Sequence, residues 1–214
     1  MIRAAIFDLD GVIVDTARYH YLAWKRLAAE FGVDLTPERN EELKGLSRRE
    51  SLEEILKLGN IKMSSADKEK HEARKNEWFV EYIHAMKPEE IFPGVKPMLQ
   101  QLGKDGYKLA LASSSKNAHS VINLLGIANE FDVVVDGGMV THAKPNPEIF
   151  LLAAKMLQVH PMHCVVFEDA AAGVEAAISA GMKCVGIGSP QRLSKANAVI
   201  KETRDFKIEE LKSW

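Results

Sequence analysis

The chain has 214 residues, 46% of them hydrophobic, and a formal net charge of -2, enough for a buried core in one large domain or in one domain carrying an insertion. That charge balance argues against a bulk polyanion such as nucleic acid as partner, which calls for a strongly basic face. No apolar run is long enough to cross a bilayer and the chain opens straight into a strand, so a cytoplasmic protein with no membrane partner is expected.

The first apolar strand, residues 4–7, runs into Asp8-Leu9-Asp10-Gly11-Val12. Two acids around a leucine are costly inside a strand, because a buried unpaired charge costs several kcal/mol or is neutralised. At the carboxyl end of a strand they are tolerated, and open α/β sheets bind their ligands there. Helical stretches follow over 16–31, 48–58 and, densely charged, 64–86. Thr16 is the expected N-cap of the first and Gly32 its stop, and Tyr21, Trp24, Leu27 and Ala28 recur at helical spacing.

From Pro93-Gly94 onward the pattern alternates. Apolar strands are expected at 109–112, 133–135, 164–167 and 184–187, separated by helices at 95–104, 118–125, 147–157 and 171–180. Strands alternating with helices predict a parallel sheet covered on both faces. The fold class is therefore α/β, with a Rossmann-like core of residues 1–14 and 93–214 interrupted by a helical domain at 15–92. Cys164 and Cys184 fall inside strands and read as buried free thiols, with too few neighbouring ligands for zinc.

The later strands also end in chemistry. Residues 109–112 lead into Ser113-Ser114-Ser115-Lys116-Asn117, whose hydroxyls and free N–H groups at a helix start suit a phosphate oxyanion. A serine cluster alone is more often just a cap. Lys144 precedes a proline-started helix, where a lysine is usually a solvated charge. Glu168-Asp169 places a second acidic pair on a strand tip. Asp8, Asp10, Glu168 and Asp169 could not all stay ionised together without a cation, and an oxygen-ligated ion such as Mg²⁺ is the natural occupant. Nucleophile, acid/base and phosphate donors are the parts for phosphoryl transfer through an aspartyl-phosphate.

Asp8-Leu9-Asp10-Gly11-Val12, Ser113, Lys144-Pro145 and Glu168-Asp169 resemble, in order, the four motifs of the haloacid dehalogenase superfamily. The insertion resembles the α-helical cap of its phosphoglucomutase-like branch. Asp15-Thr16-Ala17 through His20 and Trp24, Leu43 to Arg48, Arg74-Lys75-Asn76 and Ala112 to Asn117 are similar to stretches of the phosphoglucomutase family there. The resemblance covers essentially the whole chain. It implies a Mg²⁺-dependent enzyme that interconverts β-D-glucose 1-phosphate and D-glucose 6-phosphate through an aspartyl-phosphate and a 1,6-bisphosphate. It also implies a monomer, because the cap must open and close.

Residue by residue, the resemblance makes Asp8 the nucleophile and Asp10 the general acid/base. Glu168, Asp169, the Asp8 carboxylate and the Asp10 backbone carbonyl would hold Mg²⁺, and Ser113 and Lys144 would bind the transferring phosphoryl oxygens. Arg48 would clamp the second phosphate, with Leu43, Lys44, Gly45, Leu46 and Ser47 lining the sugar. Ser114, Ser115, Lys116 and Asn117 would serve from the core side, and Thr16 and Trp24 complete the substrate set. His20 and Lys75 would couple cap closure to Asp10. Ala170 and Ala143 stand where many relatives carry serine, or serine or glycine.

Plainer readings compete. His20 is by default a polar helical residue, Trp24 core packing, Lys75 one of a run of solvated charges, and Arg48 and Arg49 surface. A sugar-phosphate phosphatase would use the same Asp8 and give the phosphoryl group to water. A regulatory module that binds a sugar phosphate without turnover would not need the Asp8–Asp10 pair.

Overall fold

A computed structural model of the chain describes residues 1–43 and 46–214. Six parallel strands form one sheet: β1 (Ala4–Phe7), β2 (Lys108–Ala112), β3 (Val133–Val135), β4 (Cys164–Glu168), β5 (Lys183–Ile187) and β6 (Ala198–Ile200), in the order β3-β2-β1-β4-β5-β6. A parallel sheet covered on both faces needs strands that are apolar throughout. Ala-Ala-Ile-Phe of β1 is buried at every position, and Phe7 stacks on Phe167 of β4 with ring centroids 4.6 Å apart.

The helices of this region are α5 (Val95–Lys104), α6 (Ala118–Leu124), α7 (Glu148–Leu157) and α8 (Ala171–Ser179). Ile149, Phe150, Ala153 and Ala154 of α7 and Val174 and Ala177 of α8 close over Ile6, Ala110 and Val166 of the sheet. Cys164 and Cys184 are free thiols in this core, and burial pushes both well above the ordinary thiol pKa.

The chain divides into two compact units, Met1–Asp15 with Lys87–Trp214, and Thr16–Met86. The return to the first unit thus comes ahead of Pro93, because Ile91 pairs antiparallel with Val14 and Phe92 N–H donates to the Ile13 carbonyl at 2.8 Å. The second unit holds α1 (Ala17–Glu30), α2 (Pro37–Glu41), α3 (Arg48–Leu58) and α4 (Ser65–Ile83). Its core is built from Trp24, Leu27, Ala28, Leu35, Leu43, Leu52 and Ile55. None of the described helices is long and apolar enough to cross a membrane.

Local chemistry sets most of the ends. Gly32 takes φ +70° just past α1, the left-handed conformation in which helices commonly stop. Ser47 caps α3 in a reciprocal capping box with Glu50. Thr16 departs from expectation: it stands at the start of α1 with helical backbone angles, and its side chain makes no capping bond. The α2 helix, capped by Thr36 with Pro37 as its first residue, and the half-buried strand β6 are additions to the expected elements. The last helix of the second unit stops at Ile83 instead of running to Met86.

Candidate active site

β1 lies between β2 and β4, so the strand order reverses at β1. Such a switch point opens a crevice at the carboxyl ends of the strands. Register completes the placement. Phe7 pairs with Leu111 on one side and Phe167 on the other, which brings Asp8, Ser113 and Glu168 to the same edge of the sheet. Asp8 N–H continues the ladder to the Phe167 carbonyl at 3.0 Å, and Ser113 N–H donates to the Val135 carbonyl at 3.0 Å.

Lys144 is buried against this edge. Its Nζ donates to Asp8 Oδ1 at 2.6 Å and to Glu168 Oε2 at 2.7 Å, and it lies 4.8 Å from the centre of the Phe150 ring. Carboxylate oxygens of Asp8, Glu168 and Asp169 all fall within 4.8 Å of one another. Burial raises the Asp8 pKa above the usual carboxylate range despite the Lys144 ammonium. Asp169 is raised further, by burial first and then by the charges of Glu168, Asp8 and Asp10. Burial alone would lower Lys144, but Asp8 and Glu168 outweigh it and hold the ammonium charged.

The pocket is built to keep those acids close. Gly11 has φ +77°, and a Cβ there would collide with the Asp169 carboxylate; at Gly173 a Cβ would collide with the Glu168 carboxylate. Glu168 Oε1 also accepts from the backbone N–H groups of Asp169 at 3.2 Å and Ala170 at 3.1 Å. Acids crowded around a single ammonium leave excess negative charge in a buried place, and every donor is oxygen. That set fits a hard divalent cation.

The loop after Asp8 turns back on itself, with Gly11 N–H donating to the Val14 carbonyl at 2.9 Å. Asp10 lies on this loop outside the close trio of carboxylates, and its backbone N–H donates to the Asp8 carboxylate. Ser113 Oγ accepts from Ser115 N–H at 3.1 Å, and Ser115 Oγ from Asn117 N–H at 3.2 Å. These two turns lead into α6 with Ser114, Ser115 and Asn117 half-buried and Lys116 exposed.

The helical unit gathers a second set of expected residues. Lys75, only 2% exposed, places Nζ 2.7 Å from His20 Nδ1 and over the rings of Trp24 and Phe79, at 4.5 and 5.0 Å. His20 stacks on Phe79 at 4.0 Å. Burial, then the charges of Lys75 and Arg48, hold its pKa well below that of ordinary histidine, so the imidazole is neutral. The plain reading of Lys75 as a solvated charge is therefore wrong.

Arg48 and Arg49 diverge: Arg48 donates to Asn76 Oδ1 at 2.7 Å, whereas Arg49 pairs with Glu72. Trp24 and Leu43 are buried in the apolar core, with Leu46 packed against it, and Ser47 is occupied as the α3 cap. Thr16 Oγ1 is buried with no hydrogen-bond partner among the described residues. Lys44 and Gly45 lie outside the described residues. Asn76, Phe79 and Phe150 were missed as partners; the i, i+4 spacing of Lys75 and Phe79 on a helix was the available signal.

The chain is similar to known proteins over nearly its whole length. The chain is 44% identical over 209 residues to the β-phosphoglucomutase of Bacillus subtilis, spanning 97% of this chain and 92% of that protein. It is 36% identical to a phosphorylated carbohydrates phosphatase of Thermotoga maritima, over 85% of this chain and 82% of the relative. A crystal structure of β-phosphoglucomutase from Clostridium difficile superposes with a TM-score of 0.96 at 45% identity, covering 100% of this chain and 96% of that one. The family model of the haloacid dehalogenase-like hydrolases matches residues 2–181, and the chain belongs to that family.

Proposed function

We propose that the chain interconverts β-D-glucose 1-phosphate and D-glucose 6-phosphate through an aspartyl-phosphate on Asp8 and a glucose 1,6-bisphosphate. The observation that carries this reading is the buried Asp8 carboxylate at the tip of the central strand, ion-paired to Lys144 at 2.6 Å beside Glu168 and Asp169. The similarity to β-phosphoglucomutases over nearly the whole chain supports a hexose phosphate as the substrate.

In the proposed cycle, phosphorylated Asp8 gives its phosphoryl group to the 6-hydroxyl of β-glucose 1-phosphate. The O–P bond to Asp8 breaks as the new one forms, and the hydroxyl proton passes to the Asp10 carboxylate. The bisphosphate then turns end for end. Asp8 takes the phosphoryl group from C1, and Asp10 returns its proton to the departing sugar oxygen, leaving glucose 6-phosphate and phosphorylated Asp8. Lys144 and Ser113 receive the equatorial oxygens, where fixed donors lower the barrier most. Asp8, Glu168, Asp169 and the Asp10 carbonyl would hold Mg²⁺, which supplies positive charge against the carboxylates and the transferring group.

Arg48 takes the phosphate that is not transferring, through a forked contact that lysine does not reproduce, with Ser115, Lys116 and Asn117 as further donors. The unpartnered Thr16 hydroxyl suits a sugar hydroxyl. A coupled assay with β-glucose 1-phosphate, Mg²⁺ and a trace of the bisphosphate tests the reading: glucose 6-phosphate is the expected product. Release of inorganic phosphate at a matching rate would instead favour a sugar-phosphate phosphatase, the second reading raised by the Thermotoga relative.

A further inference from the structure

We infer that Glu148 is a positioning residue for phosphoryl transfer: it staples the loop that carries Lys144, and so keeps the ammonium on Asp8. The inference rests on the proposed role of Lys144 and adds a residue to which no role was assigned. Glu148 opens α7, where an acid ordinarily serves the free N–H groups of its own helix. Here it reaches backward. One carboxylate oxygen accepts from Thr141 N–H at 2.9 Å, and the other from His142 N–H at 2.8 Å, with His142 Nδ1 also 2.8 Å away. Those contacts hold the Glu148 carboxyl below the usual range.

The other side of Lys144 is closed too. Glu148 N–H donates to Asn146 Oδ1 at 3.0 Å, and Asn146 N–H to the Ala143 carbonyl at 2.9 Å. Residues 141–148 thus form a ring of hydrogen bonds around one lysine. A lysine side chain loses much rotamer freedom when its Nζ is fixed between two carboxylates, and a reacting group displaced by about an ångström loses much of its effect. Holding the backbone on both sides lets the long side chain reach Asp8 and Glu168 together. Glu148 itself touches neither carboxylate.

The test is a double-mutant cycle in the full-length Mg²⁺-loaded enzyme, reading kcat for β-glucose 1-phosphate turnover. Glu148→Ala should lower kcat about tenfold with KM nearly unchanged, equivalent to about 1.4 kcal/mol. Glu148→Gln, which keeps one acceptor oxygen, should lose about threefold and carries the cycle if the alanine variant does not fold. On a Lys144→Ala background either change should cost less than about twofold, because no ammonium remains to be placed. Equal losses on both backgrounds, or no loss on either, would overturn the inference while leaving the role of Lys144 intact. Full activity in Lys144→Ala alone would overturn that role and the inference with it.

Discussion

The two units bury charge in opposite ways. At the sheet edge, acids are in excess: Asp8, Glu168 and Asp169 crowd together with Lys144 between two of them, and the pKa of Asp169 is driven upward. In the helical unit the cation is Lys75, held against a neutral imidazole and the faces of Trp24 and Phe79. Aromatic faces attract an ammonium without contributing a net charge of their own. The sheet edge is therefore a place that gains by taking up positive charge, and the His20–Lys75 cluster a place where a second proton is disfavoured. Each difference can be broken by experiment.

The largest effect is expected at Asp8, the proposed nucleophile. Asp8→Asn should reduce both mutase and phosphatase turnover at least about a thousandfold, because the amide is a poor nucleophile. Turnover within about tenfold of wild type would sink the covalent mechanism. Removing the cation comes next: EDTA should abolish activity, and Mg²⁺ should restore it where Ca²⁺ does not restore it fully. Mg²⁺ at about a hundred times its Kd should also add about 2.7 kcal/mol of stability, seen as a rise in Tm. Full activity in metal-free buffer would contradict the excess-acid description.

Arg48→Ala should lower mutase kcat/KM about a hundredfold, since losing a charge-assisted contact costs roughly 3 kcal/mol. Hydrolysis of the aspartyl-phosphate should fall far less, because water has no second phosphate to be held. Equal losses in the two rates, measured on one preparation, would show that Arg48 acts through structure instead, by way of Asn76.

The smallest effect concerns His20. Its pKa is lowered in the folded protein, so below the ordinary value of about 6.5 the unfolded chain binds a proton that the folded chain refuses. Stability from this group is therefore complete above about pH 6.5 and is lost as pH falls below it, by no more than about 1.4 kcal/mol per pH unit. Chemical denaturation at pH 7.5 and 5.5 should show wild type losing more stability than His20→Asn. Identical losses would mean that the imidazole is charged in the folded state.

Much of this was legible in the chain. A continuous apolar run that ends in Asp8 reads as a strand with its acid at the tip, the alternation of strands and helices downstream marks the sheet as parallel, and Glu168-Asp169 follows the same logic. What stayed hidden depends on tertiary neighbours. Lys75 sits in a run of charges whose other members are exposed (Glu69, Lys70) or half-buried (Lys68, Glu72, Arg74), and nothing local marks it as the one facing inward. Thr16 has a capping residue's identity, but its helical backbone turns the hydroxyl away from that task. The short α2 did carry its signal, Thr36-Pro37, a cap followed by proline in the first turn. Glu148 was expected only as part of a helix, because an acid in a first turn is ordinary; its backward reach exists only once the 141–148 loop has folded.

The placement of β1 between β2 and β4 has a consequence for how the molecule comes into being. The strand that ends in Asp8 is made before its two neighbours, which pair with it through Ala4↔Lys108 and Ala4↔Cys164. Contacts so distant along the chain close late and slowly. The whole helical insertion is made before β1 gains even one neighbour, and Glu168 arrives only with the second. Translation pauses or truncations before residue 168 leave an apolar strand tipped with acids and no pocket to hold them. The close trio of Asp8, Glu168 and Asp169 thus forms long after the strand that begins it has been made.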